Sequence, residues 1–145
     1  MFVIYLLILV IKTRNFSYTT TLCTIKKMTE LTEEIYYTDQ NILKIIESEF
    51  ELIEQKGWYR LYRNKTNNSF WRLDELDKYQ EQFFIKLEST EKWFEFNDKT
   101  LRIQLLKKSR GLSKEKCIWK DCEKNALSKI VYCENHAYNE MGIRK

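Results

Sequence analysis

The chain has no proline, only three glycines (Gly57, Gly111 and Gly142) and a single histidine, His136, among 145 residues. Each scarcity excludes something. Without proline and with so little glycine, long flexible linkers are disfavoured, and no glycine-rich phosphate-cradling loop is present. There is no Gly-x-Ser-x-Gly elbow, and a lone histidine that serves a metal leaves none for a catalytic triad. Long apolar runs are also missing. The longest, Phe2 to Ile11, reaches about half of the ~20 residues that a membrane-spanning helix needs. The neighbouring carboxylates Asp74, Glu75 and Asp77 read as a solvated turn at a strand end rather than as an acid/base pair. The expectation is therefore a chain without catalytic residues.

What is present supports a folded protein. An apolar content of 43%, with 14% aromatics, is enough for a core. The length suits one domain, or one domain with a small module. Charge is unevenly spread. Residues 1–27 carry four basic side chains and no acid. Residues 28–97 carry 9 basic and 15 acidic, and residues 98–145 carry 12 basic and 6 acidic. An acidic body with a basic tail can meet phosphate or an acidic protein through that tail, or its charges can simply solvate the surface.

The densest chemistry lies in the tail. Cys117, Cys122, Cys133 and His136 fall within twenty positions, spaced by four, ten and two residues. Soft thiolate and imidazole donors in that number suit a tetrahedral zinc ion, and four protein ligands leave no open position, which makes the zinc structural. A Cys/His cluster in a chain rich in Lys and Glu points to a reducing compartment, here the cytoplasm. Cys23 stands apart and is assigned no role. Trp119 and Tyr132 either pack the small core around the metal or stack on bases. In the second case Lys107, Lys108, Arg110 and Lys120 would contact nucleic acid.

Upstream, Ile42, Ile45, Ile46, Phe50 and Ile53 make an apolar stripe at helical spacing, so a helix is predicted over 38–56. Thr38 or Asp39 would cap it and Gly57 would follow its end. Aromatic and apolar residues then mark strands at 58–62, 70–73 and 83–87, with a turn at Asn64–Asn68. Residues 93–96 suit a fourth strand or a loop. A short helix capped by Asn97 or Asp98, ending before Gly111, competes with a strand reading of Leu101, Ile103 and Leu105. Residues 109–116 read as a linker, and Lys124–Val131 as a short hairpin between the two halves of the metal site. The whole reads as α+β: an amphipathic helix packed on a small antiparallel sheet, plus a C-terminal zinc-binding module. The divisions are an apolar and basic segment 1–27, an α+β domain 28–111 and a Cys3His module 112–145. Three readings fit the first segment: a weak membrane anchor, a buried element, or translated sequence upstream of a start at Met28. None is a stable membrane span.

The hairpin carries Trp58, Tyr62 and Trp71 with Arg60 and Arg63, residue types enriched at protein interfaces. Strand alternation predicts one buried face and one available face. The segment GWYRLYRNKTNNSFWRLDE, residues 57–75, resembles the bacterial immunity-protein family Imm27. The matching positions are Gly57, Trp58, Leu61, Tyr62, the turn at Asn64–Asn68, Phe70, Trp71 and Glu75. The resemblance implies a non-catalytic inhibitor that binds and occludes a toxin. The alternative is a nucleic-acid-binding protein using its basic tail.

Overall fold

Asp39 starts the first helix. Its carboxylate accepts from the N–H groups of Asn41 and Ile42, each at 2.9 Å, satisfying donors that helix geometry leaves free. The computed structural model describes residues 31–74 and 81–145. The expectations placed on 1–27, Cys23, Met28, Glu75 and Asp77 lie outside the described residues. The elements run β1 (Ile35–Tyr37), α1 (Gln40–Glu49), β2 (Phe50–Lys56), β3 (Tyr59–Asn64), β4 (Phe70–Asp74), β5 (Phe83–Leu87), a 3-10 turn (Trp93–Glu95), α2 (Lys99–Arg110), β6 (Leu112–Lys116), β7 (Asn125–Leu127) and α3 (Glu134–Asn139). β1 to β5 form one antiparallel sheet in the order β1-β5-β4-β3-β2, and β6 pairs with β7. The architecture is α+β, as the sequence predicts.

Several elements differ from their expected form. The helix predicted to Lys56 stops at Glu49, and Phe50–Lys56 is strand. The helical stripe and the strand overlap at Phe50, which is buried in the same apolar cluster as Ile42 and Ile46. Downstream, pairing with β3 overrides helix propensity. Gly57 consequently sits in a two-residue hairpin loop, at φ +57°, between paired Lys56 and Tyr59. The Asn64–Asn68 turn forms as predicted: Asn64 Oδ1 accepts from Thr66 and Asn67, and Asn68 adopts φ +58°. Residues 109–116 are not a linker. Their second half is β6, whose partner β7 replaces the hairpin predicted within 124–131.

Both faces of the large sheet are covered, not one. On the first, Trp71, Leu73 and Phe84 pack under Ile42, Ile46 and Phe50. On the second, Leu61 and Leu87 meet Trp93, and Ile85 and Phe83 meet Leu101 and Leu105 of α2. Leu106 of α2 then joins Leu127, Ala137 and Tyr138 of the tail in one apolar cluster. Packing therefore bridges the division between residues 111 and 112 that composition suggests. Among the described residues no helix is long and apolar enough to cross a membrane.

Candidate metal centre

Cys117 follows β6 directly, and its N–H donates to the Lys124 carbonyl at 2.9 Å, closing the first knuckle. Inside the knuckle, Asp121 takes φ +60° and Cys122 N–H donates to the Trp119 carbonyl at 3.0 Å, which turns the second thiol back toward the first. Cys133 caps the start of α3, its carbonyl accepting from Ala137 N–H at 2.8 Å. His136 lies three residues further on, so both side chains share one face of the helix turn.

The four donor atoms lie within 4.8 Å of one another. Cys133 Sγ is 3.3 Å from His136 Nδ1, Cys117 Sγ is 3.4 Å from the same nitrogen, and Cys122 Sγ is 3.9 Å from Cys133 Sγ. A disulfide would bring sulfurs to about 2.0 Å. A tetrahedral ion with bonds of about 2.3 Å to sulfur and about 2.0 Å to nitrogen holds its ligands roughly 3.5–3.8 Å apart. The observed spacings fit the ion and not the disulfide. All three thiols are free.

Electrostatics favour a thiolate at one position. Burial pushes the Cys117 thiol up, but N–H groups of the Cys133 and Trp119 backbone, aided by His136 and Cys122, outweigh it and bring the value to about 6. Burial pushes Cys133 up. An ion would supply the charge that Cys133 lacks.

The surrounding aromatics pack the site. The Trp119 ring stacks on the His136 imidazole at 4.7 Å and 15°, and meets Tyr132 edge-on at 6.3 Å. Tyr132 packs against the cluster built on Leu106 and Leu127. The basic residues singled out in the sequence are divided between two places. Lys107, Lys108 and Arg110 sit at the C-terminus of α2, where Lys108 pairs with Glu33 at 2.6 Å and Arg110 donates to the Lys145 carbonyl; Lys120 is exposed in the knuckle.

Of the candidate partner residues, Trp71 is 2% exposed in the core and has no surface to offer, which corrects its expected role. Tyr62 is half-buried against the same cluster. Trp58 is 69% exposed at the β2–β3 turn. Arg60 reaches Gln55, and Arg63 pairs with Glu51, both toward β2.

Sequence reasoning missed one cluster. Arg72, Asp74, Asp98 and Arg102 form an ion-pair quartet between β4 and α2, with Arg72 only 1% exposed. Asp74 is thus buried, not part of a solvated turn. Of the two caps expected for α2, Asp98 spends its carboxylate on the two arginines and makes no cap bond, while Asn97 Oδ1 accepts from Lys99 N–H at 3.2 Å. Strand alternation held the signal: Phe70, Arg72 and Asp74 share a face that must be covered. Compared with protein-family models, curated proteins and solved structures, the chain has no match.

Proposed function

We propose that this chain is a non-catalytic, protein-binding protein of the cytoplasm, held together at its C-terminus by structural zinc on Cys117, Cys122, Cys133 and His136. The observation that carries the binding role is the exposed rim of the sheet. Among the described residues β2 is an edge strand with β3 as its one neighbour. Leu52 and Ile53 on it are 54% and 46% exposed, and Trp58 at its turn is 69% exposed. Large apolar side chains beside an unpaired strand edge favour a partner that covers them. The irregular pairing between Leu52 and Glu54 leaves Ile53 outside the ladder. The resemblance of residues 57–75 to immunity proteins names a toxin as the class of partner.

Zinc is the metal that three thiolates and an imidazole at tetrahedral spacing suit best. With every position filled by the protein, its role is to stabilise the tail, and it offers no site for substrate. The binding role is tested with a photo-crosslinking residue at position 52 or 58 in cells of the source organism, using position 99 as control. A protein crosslinked from the β2 rim alone, which then binds purified chain and loses about tenfold in affinity with Trp58→Ala, supports the reading. Crosslinks that do not depend on position overturn it.

A further inference from the structure

The free edge of β2 has an irregular spacing. The Gly57–Trp58 loop is two residues long, so Lys56 and Tyr59 form a hydrogen-bonded pair, and Glu54, opposite Leu61, is the next residue to bond β3. From the other end, Lys65 N–H donates to the Glu49 carbonyl at 2.9 Å, and Glu51, opposite Arg63, bonds β3 in the same sense. Alternation therefore turns the backbone of Leu52 and of Gln55 outward, while Phe50 N–H is taken up by the Ile46 carbonyl. The bulge between Leu52 and Glu54 sets these two outward residues three apart, where a regular strand repeats every two. The charges on the edge are directional as well. Glu51 and Lys56 oppose Arg63 and Tyr59, four residues apart on β3, so both point to one face. Arg63 uses a single oxygen of the Glu51 carboxylate. The Lys56 ammonium lies 3.3 Å from the Phe94 ring centroid and, among the described residues, has no carboxylate partner.

We propose that β2 pairs antiparallel with β2 of a second copy of this chain, about a two-fold axis between Ile53 and Glu54. The proposal rests on the reading of the β2 rim as a protein-binding edge, and names what closes that rim when no other protein is present. In this register Leu52 of each copy exchanges backbone bonds with Gln55 of the other, and Glu51 of each lies opposite Lys56 of the other. A regular strand meets one outward residue of β2 and misses the next, but a strand with the same bulge meets both. A parallel copy would instead set Glu51 against Glu51 and Lys56 against Lys56. Glu54 accepts from Trp93 Nε1 at 3.1 Å, which holds its carboxylate on its own subunit. The exposed Ile53 side chains meet beside the axis and leave water together. The edge also carries both signs, Glu51 and Glu54 with Lys56, Arg60 and Arg63, so two copies approach without single-sign repulsion.

The test is sedimentation equilibrium of the full chain, its zinc content measured, from about 1 μM to about 1 mM. A monomer–dimer equilibrium is expected. Lys56→Glu and Glu51→Lys each set like charges together at both contacts, and each should weaken self-association at least about tenfold. Mixed in equal amounts, the two variants present opposite charges at both contacts, and should associate one-to-one within about threefold of wild type. If Glu51→Lys fails to fold, Gln55→Pro decides instead. It removes an outward N–H that β3 does not use, and should weaken the dimer at least about tenfold while the urea midpoint stays in place. A wild type that is monomeric throughout overturns the proposal; if position 58 still crosslinks a different protein, the reading of the rim survives without it. A dimer that none of these variants weakens overturns it, and so do losses that mixing does not restore.

Discussion

The indole of Trp119 lies nearly parallel to the imidazole of His136, 4.7 Å away and tilted by 15°. One ligand of the candidate metal centre is thereby fixed in orientation by a side chain that donates nothing to the metal. Groups that orient ligands typically change metal affinity by about 10- to 100-fold.

Trp119→Ala is therefore expected to keep one zinc per chain but to release it about tenfold more readily in chelator competition. Cys133→Ser should lose the metal outright and leave the C-terminus open to protease. Elemental analysis that finds no zinc in wild-type protein would remove the basis of the site.

The quartet around Arg72 gives a second expectation. Arg72 is almost fully buried between β4 and α2, where Phe96 O and Asp98 accept from its guanidinium and the Tyr59 ring lies 4.3 Å from it. Asp98→Ala leaves that charge poorly compensated and should cost about 3–5 kcal/mol in urea unfolding. Arg72→Met combined with Asp98→Leu should recover most of the loss, because apolar packing can replace a buried pair. No recovery would mean that the ion pairs themselves stabilise the fold.

A pH dependence follows from Asp74. Burial raises its carboxyl above the ordinary value despite the lowering pull of Arg102 and Arg72. The folded state thus holds this proton more tightly than the unfolded chain does. Stability from this group is fully present below the unfolded value of about 4 and falls as pH rises through the folded value. Asp74→Asn does not titrate. Its stability relative to wild type should be lowest at acid pH, rise above about pH 4 and then level off. Paired urea titrations from about pH 3 to 7 measure this; a difference moving the other way would show that the arginines dominate.

The two tryptophans of the hairpin should behave oppositely. Trp71 stacks on Phe84 with ring centroids 4.9 Å apart, and Trp71→Ala should cost about 3–5 kcal/mol. Trp58→Ala, at an exposed turn, should stay within about 0.5 kcal/mol, so that any loss of partner binding there reports contact rather than misfolding. Chemical denaturation of both variants settles the contrast.

Much of this was legible in the sequence because the signals are local. The Asp39 cap, the Asn64 turn, strand β5 and helix α2 each depend on a few neighbouring residues. The metal quartet was legible because cysteine and histidine spacing carries its own chemistry. The missed features are long-range. Nothing near Phe50 announces that β3 will capture 50–56 as strand. β1 and β6 are short and depend on partners 48 and 9 residues away, as in Tyr36 with Phe84 and Lys116 with Asn125. Arg72 and Asp98 lie 26 residues apart in the chain, and only the docking of α2 brings them together.

Leu106 is completely enclosed, and its enclosure comes from residues beyond Gly111. A chain trimmed at Gly111 to isolate the sheet would keep its strands but bare an oily strip along its last helix. Such a fragment should clump in concentrated solution, so the cysteine-bearing end acts as a lid on its neighbour as well as a unit in its own right.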